Sequence, residues 1–169
     1  MQLAVNELKI RAKLLLKALR SGHRPDWLSG SQSLRDEWQL KDCQTLLAQK
    51  SGFRDWHHAR LILSGEATRD VSPDFGELWY ARACGVLINQ WFADYAPARQ
   101  ALLAEGGSCL LPYKRQFVVA APLYTELLGL SEQTLAWHSL NHDLIDGYGT
   151  PAWDLLALAC LCHKLDSLK

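Results

Sequence analysis

The sequence predicts a mainly α-helical protein, an N-terminal three-helix unit followed by a larger α-rich unit with a small β element. Three observations carry that reading. Apolar residues recur at three- and four-residue spacing in residues 3 to 20. Capping residues, prolines and glycines punctuate the chain at intervals of one short helix. Residues 108 to 120, with β-branched and aromatic Phe117, Val118 and Val119, are the best strand candidate.

In the first unit, residues 1 to 64, Val5, Leu8, Ala12, Leu15, Leu16 and Leu19 form the apolar stripe of a helix that stops at Ser21 and Gly22. Ser33 and Asp36 have capping-box spacing ahead of Leu34, Trp38, Leu40, Cys43, Leu46 and Leu47, a second helical segment. That segment ends at Gly52, in the left-handed position, with Phe53 folding back onto the last turn. Asp55 starts a third helix with Trp56, Ala59 and Leu63 inward, and Ser64-Gly65 stops it. Residues 65 to 76 are rich in turn formers and read as a linker.

The second unit covers residues 77 to 169. Residues 84 to 92 are helix or buried strand, since a short apolar run has no decisive period. Asp94 and Pro97 open a helix that Gly106-Gly107 closes, with Ala98, Ala101 and Leu102 inside. Pro112 confines the early part of the strand region to a sheet edge. A helix from Leu123 to Leu128 ends at Gly129, Ser131 caps a segment holding Trp137 and His138, and Thr150-Pro151 starts a last helix to residue 166. Leu155 to Cys162 is apolar nearly all round, so this helix is expected to be almost entirely buried.

Composition narrows the class. A hydrophobic fraction of 49% and a charged fraction of 21% exclude a disordered chain, and the longest apolar run is far below the roughly 20 residues of a membrane span. With no cleavable N-terminal apolar segment, a soluble cytoplasmic protein is expected. Five irregularly spaced cysteines fit free thiols rather than a disulfide framework. Seven tryptophans signal a tight core or a sticky surface. The net charge is zero, yet Lys+Arg against Asp+Glu is 11 against 6 in residues 1 to 64 and 7 against 12 thereafter. Such asymmetry points to two functional surfaces or to halves that attract each other.

The pattern Leu8-Lys9-x-x-Ala12-Lys13-x-Leu15-Leu16-x-Ala18-Leu19, with Cys43-Gln44-x-Leu46-Leu47-Ala48-x-x-x-Gly52-Phe53-Arg54-x-Trp56, resembles the small helical domain called glyoxalase-related, found in bacterial proteins. The resemblance covers about residues 3 to 63, implies a helical fold and no glyoxalase activity, and carries no catalytic residues across. Lys41-Asp42-Cys43 stands where that family usually has a histidine or serine. The stretch from Asn89 through Gly106-Gly107 to Phe117 resembles an uncharacterised conserved bacterial protein.

Two surfaces are candidates for binding. Lys9, Lys13, Lys17 and Arg20 fall within an arc of about 80 degrees on the first helix, with Arg24 close by, a basic ridge of the kind that contacts phosphates. The plain alternative is a solvated face, or one that docks onto the acidic half. Tyr113, Lys114 and Arg115, with Trp79, Trp91 and Tyr95 as aromatic neighbours, have the composition of a protein-recognition surface. Here the plain alternative is that the aromatics fill the core.

Other motifs are weaker. Cys160-x-Cys162-His163 and the pair His138 and His142 lack the second ligand pair of a zinc site, so neither metal nor other cofactor is expected. His57-His58 with Asp143 and Asp146 make an acid-base pair only if the halves bring them together, and no nucleophile elbow, phosphate loop or dinucleotide fingerprint is present. The expected function is therefore that of a noncatalytic accessory protein with a protein partner or a second copy of itself. Nucleic-acid association through the basic helix is the alternative, and an enzyme of unknown reaction comes third.

Overall fold

The computed structural model describes residues 2–28, 37–67 and 73–168. Helix α1 (Leu3–Arg20) buries Ala4, Val5, Leu8, Ala12, Leu15 and Leu19, the stripe its sequence period requires. Helix α2 is Leu40–Lys50, starting later than the sequence pattern suggested. The Ser33 and Asp36 cap, with Leu34, lies outside the described residues. Instead the Asp42 carboxylate accepts from the Gln39 N–H at 2.9 Å, so Trp38 sits before the helix rather than in it. At the far end, Phe53 N–H donates to Ala48 O and Gly52 N–H to Gln49 O, a Schellman closure with Gly52 at φ 98°. Helix α3 (Trp56–Leu63) begins at Asp55, whose side chain accepts from the His58 N–H at 2.8 Å.

Residues 84–92 are neither helix nor buried strand. A 3-10 turn (Arg82–Val86) leads to a three-residue strand β1 (Gln90–Phe92), and Val86 and Ile88 stand in solvent. Helix α4 (Tyr95–Ala104) follows, then β2 (Cys109–Tyr113) and β3 (Gln116–Ala120), a hairpin where a single strand region was expected. Lys114 takes φ 53° at its turn. The sheet order is β1-β3-β2, antiparallel throughout, which puts Pro112 on an edge strand. Helix α5 (Pro122–Leu127) precedes α6 (Thr134–Ser139), which starts three residues after Ser131 and has no side-chain cap. Helix α7 (Pro151–Asp166) is capped by Thr150 Oγ1, which accepts from Trp153 N–H.

The register assigns each face of the sheet. Leu111, Val118 and Trp91 share a row on one face with Cys109 and Ala120 beside it. Leu110 and Val119 share a row on the other face, as do Pro112, Phe117 and Phe92. The first face joins a continuous core that includes the α1, α2, α3 and α7 stripes. The second packs on Ala98 and Leu102 of α4 in a small separate core.

Residues 1–64 and 77–169 thus share one main core, and polar contacts lock it. Asp154, buried at the start of α7, accepts from the Leu3 and Ala4 N–H groups at 2.7 and 3.1 Å, satisfying orphan donors at the N-terminus of α1. Arg11 bridges Glu7 and Asp166. Glycine permits a third contact: a Cβ on Gly52 would sit 2.6 Å from the Glu77 backbone, whose N–H donates to Gly52 O at 2.7 Å. Helix α7 is less buried than its sequence implied: Leu155 is 42% exposed and Leu158 half-buried, while Leu161 is buried. Among the described residues no helix is long and apolar enough to cross a membrane.

The tryptophans mostly serve the core. Trp38, Trp79, Trp137 and Trp153 are buried, Trp27 and Trp56 are half-buried, and only Trp91 is exposed. Trp79, Trp153, Tyr148 and Phe75 form a column of edge-to-face rings 5.1 to 5.6 Å apart.

Candidate functional site

The tip of the β2–β3 hairpin gathers most of the residues expected to form a recognition surface. The Tyr113 ring lies 5.4 Å from Trp91 and 5.0 Å from Tyr80, and the Lys114 ammonium sits 5.2 Å over it. Glu77 Oε1 accepts from Lys114 Nζ at 2.8 Å and from the Tyr113 hydroxyl at 3.3 Å. The hydrogen bond from Lys114 holds the Glu77 carboxyl below its usual range.

Lys114 is a non-glycine residue in the left-handed region, and two backbone bonds hold it there. Phe75 N–H donates to Lys114 O at 2.9 Å, and Lys114 N–H donates to Gly76 O at 2.7 Å. Arg115 beside it is exposed. Trp79 corrects the expectation: it is fully buried against Trp153 and contributes nothing to the surface. Tyr95 is not part of this cluster either; its hydroxyl donates to Asp143 on the α4 side of the sheet.

Next to the aromatic cluster runs part of the stretch 84–92, for which the sequence left helix and buried strand open. Val86 is 85% exposed, Ile88 fully exposed and Trp91 44% exposed. Strand β1 pairs with β3 on one side only, so its outer edge is unpaired among the described residues. Apolar character alone does not decide between a helix and a buried strand here. The missing signal is burial, which periodicity cannot supply over so short a segment.

The basic ridge keeps its geometry. Lys13, Lys17 and Arg20 are exposed, Lys9 is half-buried, and Lys9, Lys13 and Lys17 form no ion pair among the described residues. Arg20 donates to Trp38 O at 3.4 Å, and Arg24 is exposed. Among the described residues the lysines form no ion pair with the acidic half; α1 meets α7 through its apolar stripe and through Arg11. Exposed Ile10 and Leu14 also lie on the outer surface of α1.

Two polar centres were not foreseen as units. Asp143, fully buried, takes Tyr95 OH at 2.7 Å and Arg99 Nη1 at 2.6 Å on one oxygen, and the Ile145 and Asp146 N–H groups on the other. Burial, reinforced by Asp143, pushes the Tyr95 hydroxyl up to about 12. The second centre pairs Cys109 Sγ with His142 Nδ1 at 3.5 Å beside a cleft lined also by Trp137 and Glu126. Burial pushes the Cys109 thiol up to about 12, so it is a protonated, inert sulfur rather than an activated nucleophile.

The remaining motifs are structural. His138 and His142 do not share a helix face, because α6 ends at Ser139 and His142 lies at φ 59°; their rings meet edge to face at 5.2 Å. Cys160 Sγ donates to Leu78 O, Cys162 is half-buried and His163 exposed. Among the described residues no group of three or more His, Cys, Asp or Glu side chains is placed to hold a metal ion. His58 Nε2 donates to Asp74 O and its Nδ1 accepts from Arg54 N–H, bonds that fix a loop and do not engage Asp143 or Asp146. No family model, curated protein or solved structure matches the chain.

Proposed function

We propose that this chain is a noncatalytic bacterial accessory protein of the cytoplasm that binds another protein through the β1 edge and the hairpin tip. The observation that carries the reading is the exposure of Val86, Ile88 and Trp91 beside a strand edge that is unpaired among the described residues. Large apolar side chains in solvent next to open backbone donors and acceptors suit an extended segment that adds to the sheet. Tyr80, Trp91 and Tyr113 offer ring surface of the kind found at interface hot spots, and Arg115 favours a partner with acidic side chains.

A photocrosslinking residue placed at position 88 tests this in cells, with position 13 as the comparison. The expected result is one recurrent protein adduct from position 88, insensitive to nuclease and lost when Trp91→Ser is added. Light scattering of the purified chain then separates a second copy from a different partner. Absence of any adduct at position 88 overturns the proposal.

Lys13 and Lys17, which form no ion pair among the described residues, favour a second reading, association with nucleic acid. It requires retention on duplex DNA or RNA that weakens steeply with salt and disappears in Lys13→Glu/Lys17→Glu. No retention at low salt removes it.

A further inference from the structure

We propose that the cavity between the start of α4, β3 and the 145–148 turn binds a small organic cation, an amine or quaternary ammonium carrying an apolar group. The cavity measures about 310 Å³, at the lower end of ligand-pocket sizes. Its lining includes four aromatic rings, Phe75, Tyr95, Phe117 and Tyr148, and two carboxylates, Asp94 and Asp146.

The rings are fixed before any ligand arrives. The Tyr95 hydroxyl is held by Asp143 at 2.7 Å, and its ring packs 5.9 Å from Phe117. The Tyr148 hydroxyl donates to Ile62 O at 2.9 Å, and its ring meets Phe75 edge to face at 5.2 Å. Ring faces attract cations through their quadrupole, and a pre-ordered set costs little to engage.

The carboxylates supply the sign. Among the described residues neither Asp94 nor Asp146 has a side-chain hydrogen bond or an ion pair; the nearby Arg99 is tied to Asp143 and Tyr95 and does not line the cavity. An anion would meet two negative groups that no described residue compensates. A neutral molecule would gain only the apolar contact, whereas a cation gains both terms. Phe117 faces α4, on the opposite side of the sheet from Trp91, so this site is independent of the hairpin surface.

Titrations of the full chain by NMR with benzyltrimethylammonium, benzyl alcohol and phenylacetate test the proposal. The ammonium should saturate, the alcohol should bind about tenfold more weakly, and phenylacetate should not bind. Asp94→Asn/Asp146→Asn should weaken the ammonium about tenfold and leave the alcohol unchanged. Both positions are exposed, so the fold should persist, as circular dichroism would verify. A peptide bearing trimethyllysine distinguishes a free ligand from a presented side chain. The proposal is overturned if the ammonium fails to saturate, if the alcohol or phenylacetate binds as tightly, if the double variant changes nothing, or if only the peptide binds.

Discussion

The two faces of the sheet are held by different means. One face adds Leu111, Val118 and Ala120 to a main core that reaches from α1 to α7, where apolar area is plentiful and polar groups act at isolated points. The other closes on α4 with few apolar residues, Ala98, Leu102, Leu110, Phe117 and Val119, and a buried carboxylate stands at its margin. Where little apolar surface can be buried, position has to be set by directional bonds. Asp143 does this with four donors from two segments, while the isolated bridge from Leu110 to Asp143 ties it to β2.

The sharpest way to break this contrast is Asp143→Ala. It strands the Tyr95 hydroxyl, one Arg99 donor and two backbone N–H groups at once, and should cost about 3 to 5 kcal/mol in urea denaturation. In the main core the corresponding change is Asp154→Ala. It leaves two α1 donors unsatisfied but no charged partner, so about 2 kcal/mol is expected. A larger loss at Asp154 than at Asp143 would reverse the comparison. Tyr95→Phe sharpens it: one hydrogen bond to the carboxylate is lost while the ring stays, a cost of about 1.5 kcal/mol, and the aromatic wall of the cavity should remain.

The same contrast explains what the sequence revealed. Helix α1, the Gly52-Phe53 closure, the Asp55 cap and the Thr150-Pro151 start are local devices, each encoded within a few residues and legible from spacing alone. The Asp143 centre joins residues 44 and 48 positions apart, and the Cys109–His142 pair spans 33, so neither has a local signature. Tyr113 and Trp91 were singled out by residue type, and the fold brings their rings together. The solvent exposure of Val86 and Ile88 was not legible, because an apolar run carries no mark of which residues the fold will cover. Leu155 shows the same thing within α7: a helix apolar all round still turns one residue to water when neighbours cover only part of its girth.

The smallest expected effect concerns protonation at the edge of the main core. His142 lies half-buried with its ring parallel to Trp137 at 6.1 Å, His138 5.2 Å away and Cys109 Sγ against Nδ1. Burial first, and the neighbouring His138 second, lower its pKa from the usual histidine value. The folded chain therefore takes up this proton less readily than the unfolded chain, in which the ring titrates near 6.5. Above about pH 6.5 both states hold a neutral ring and the site adds no pH dependence. As pH falls below that value the unfolded state binds the proton first, and stability declines until the folded-state pKa is passed. His142→Gln, which cannot titrate, should flatten this part of the curve when thermal midpoints are compared between about pH 5 and pH 7.5. An unchanged pH profile in His142→Gln would mean that the ring is as free to charge in the folded protein as in the unfolded chain, and that the Trp137 and Cys109 contacts do not desolvate it.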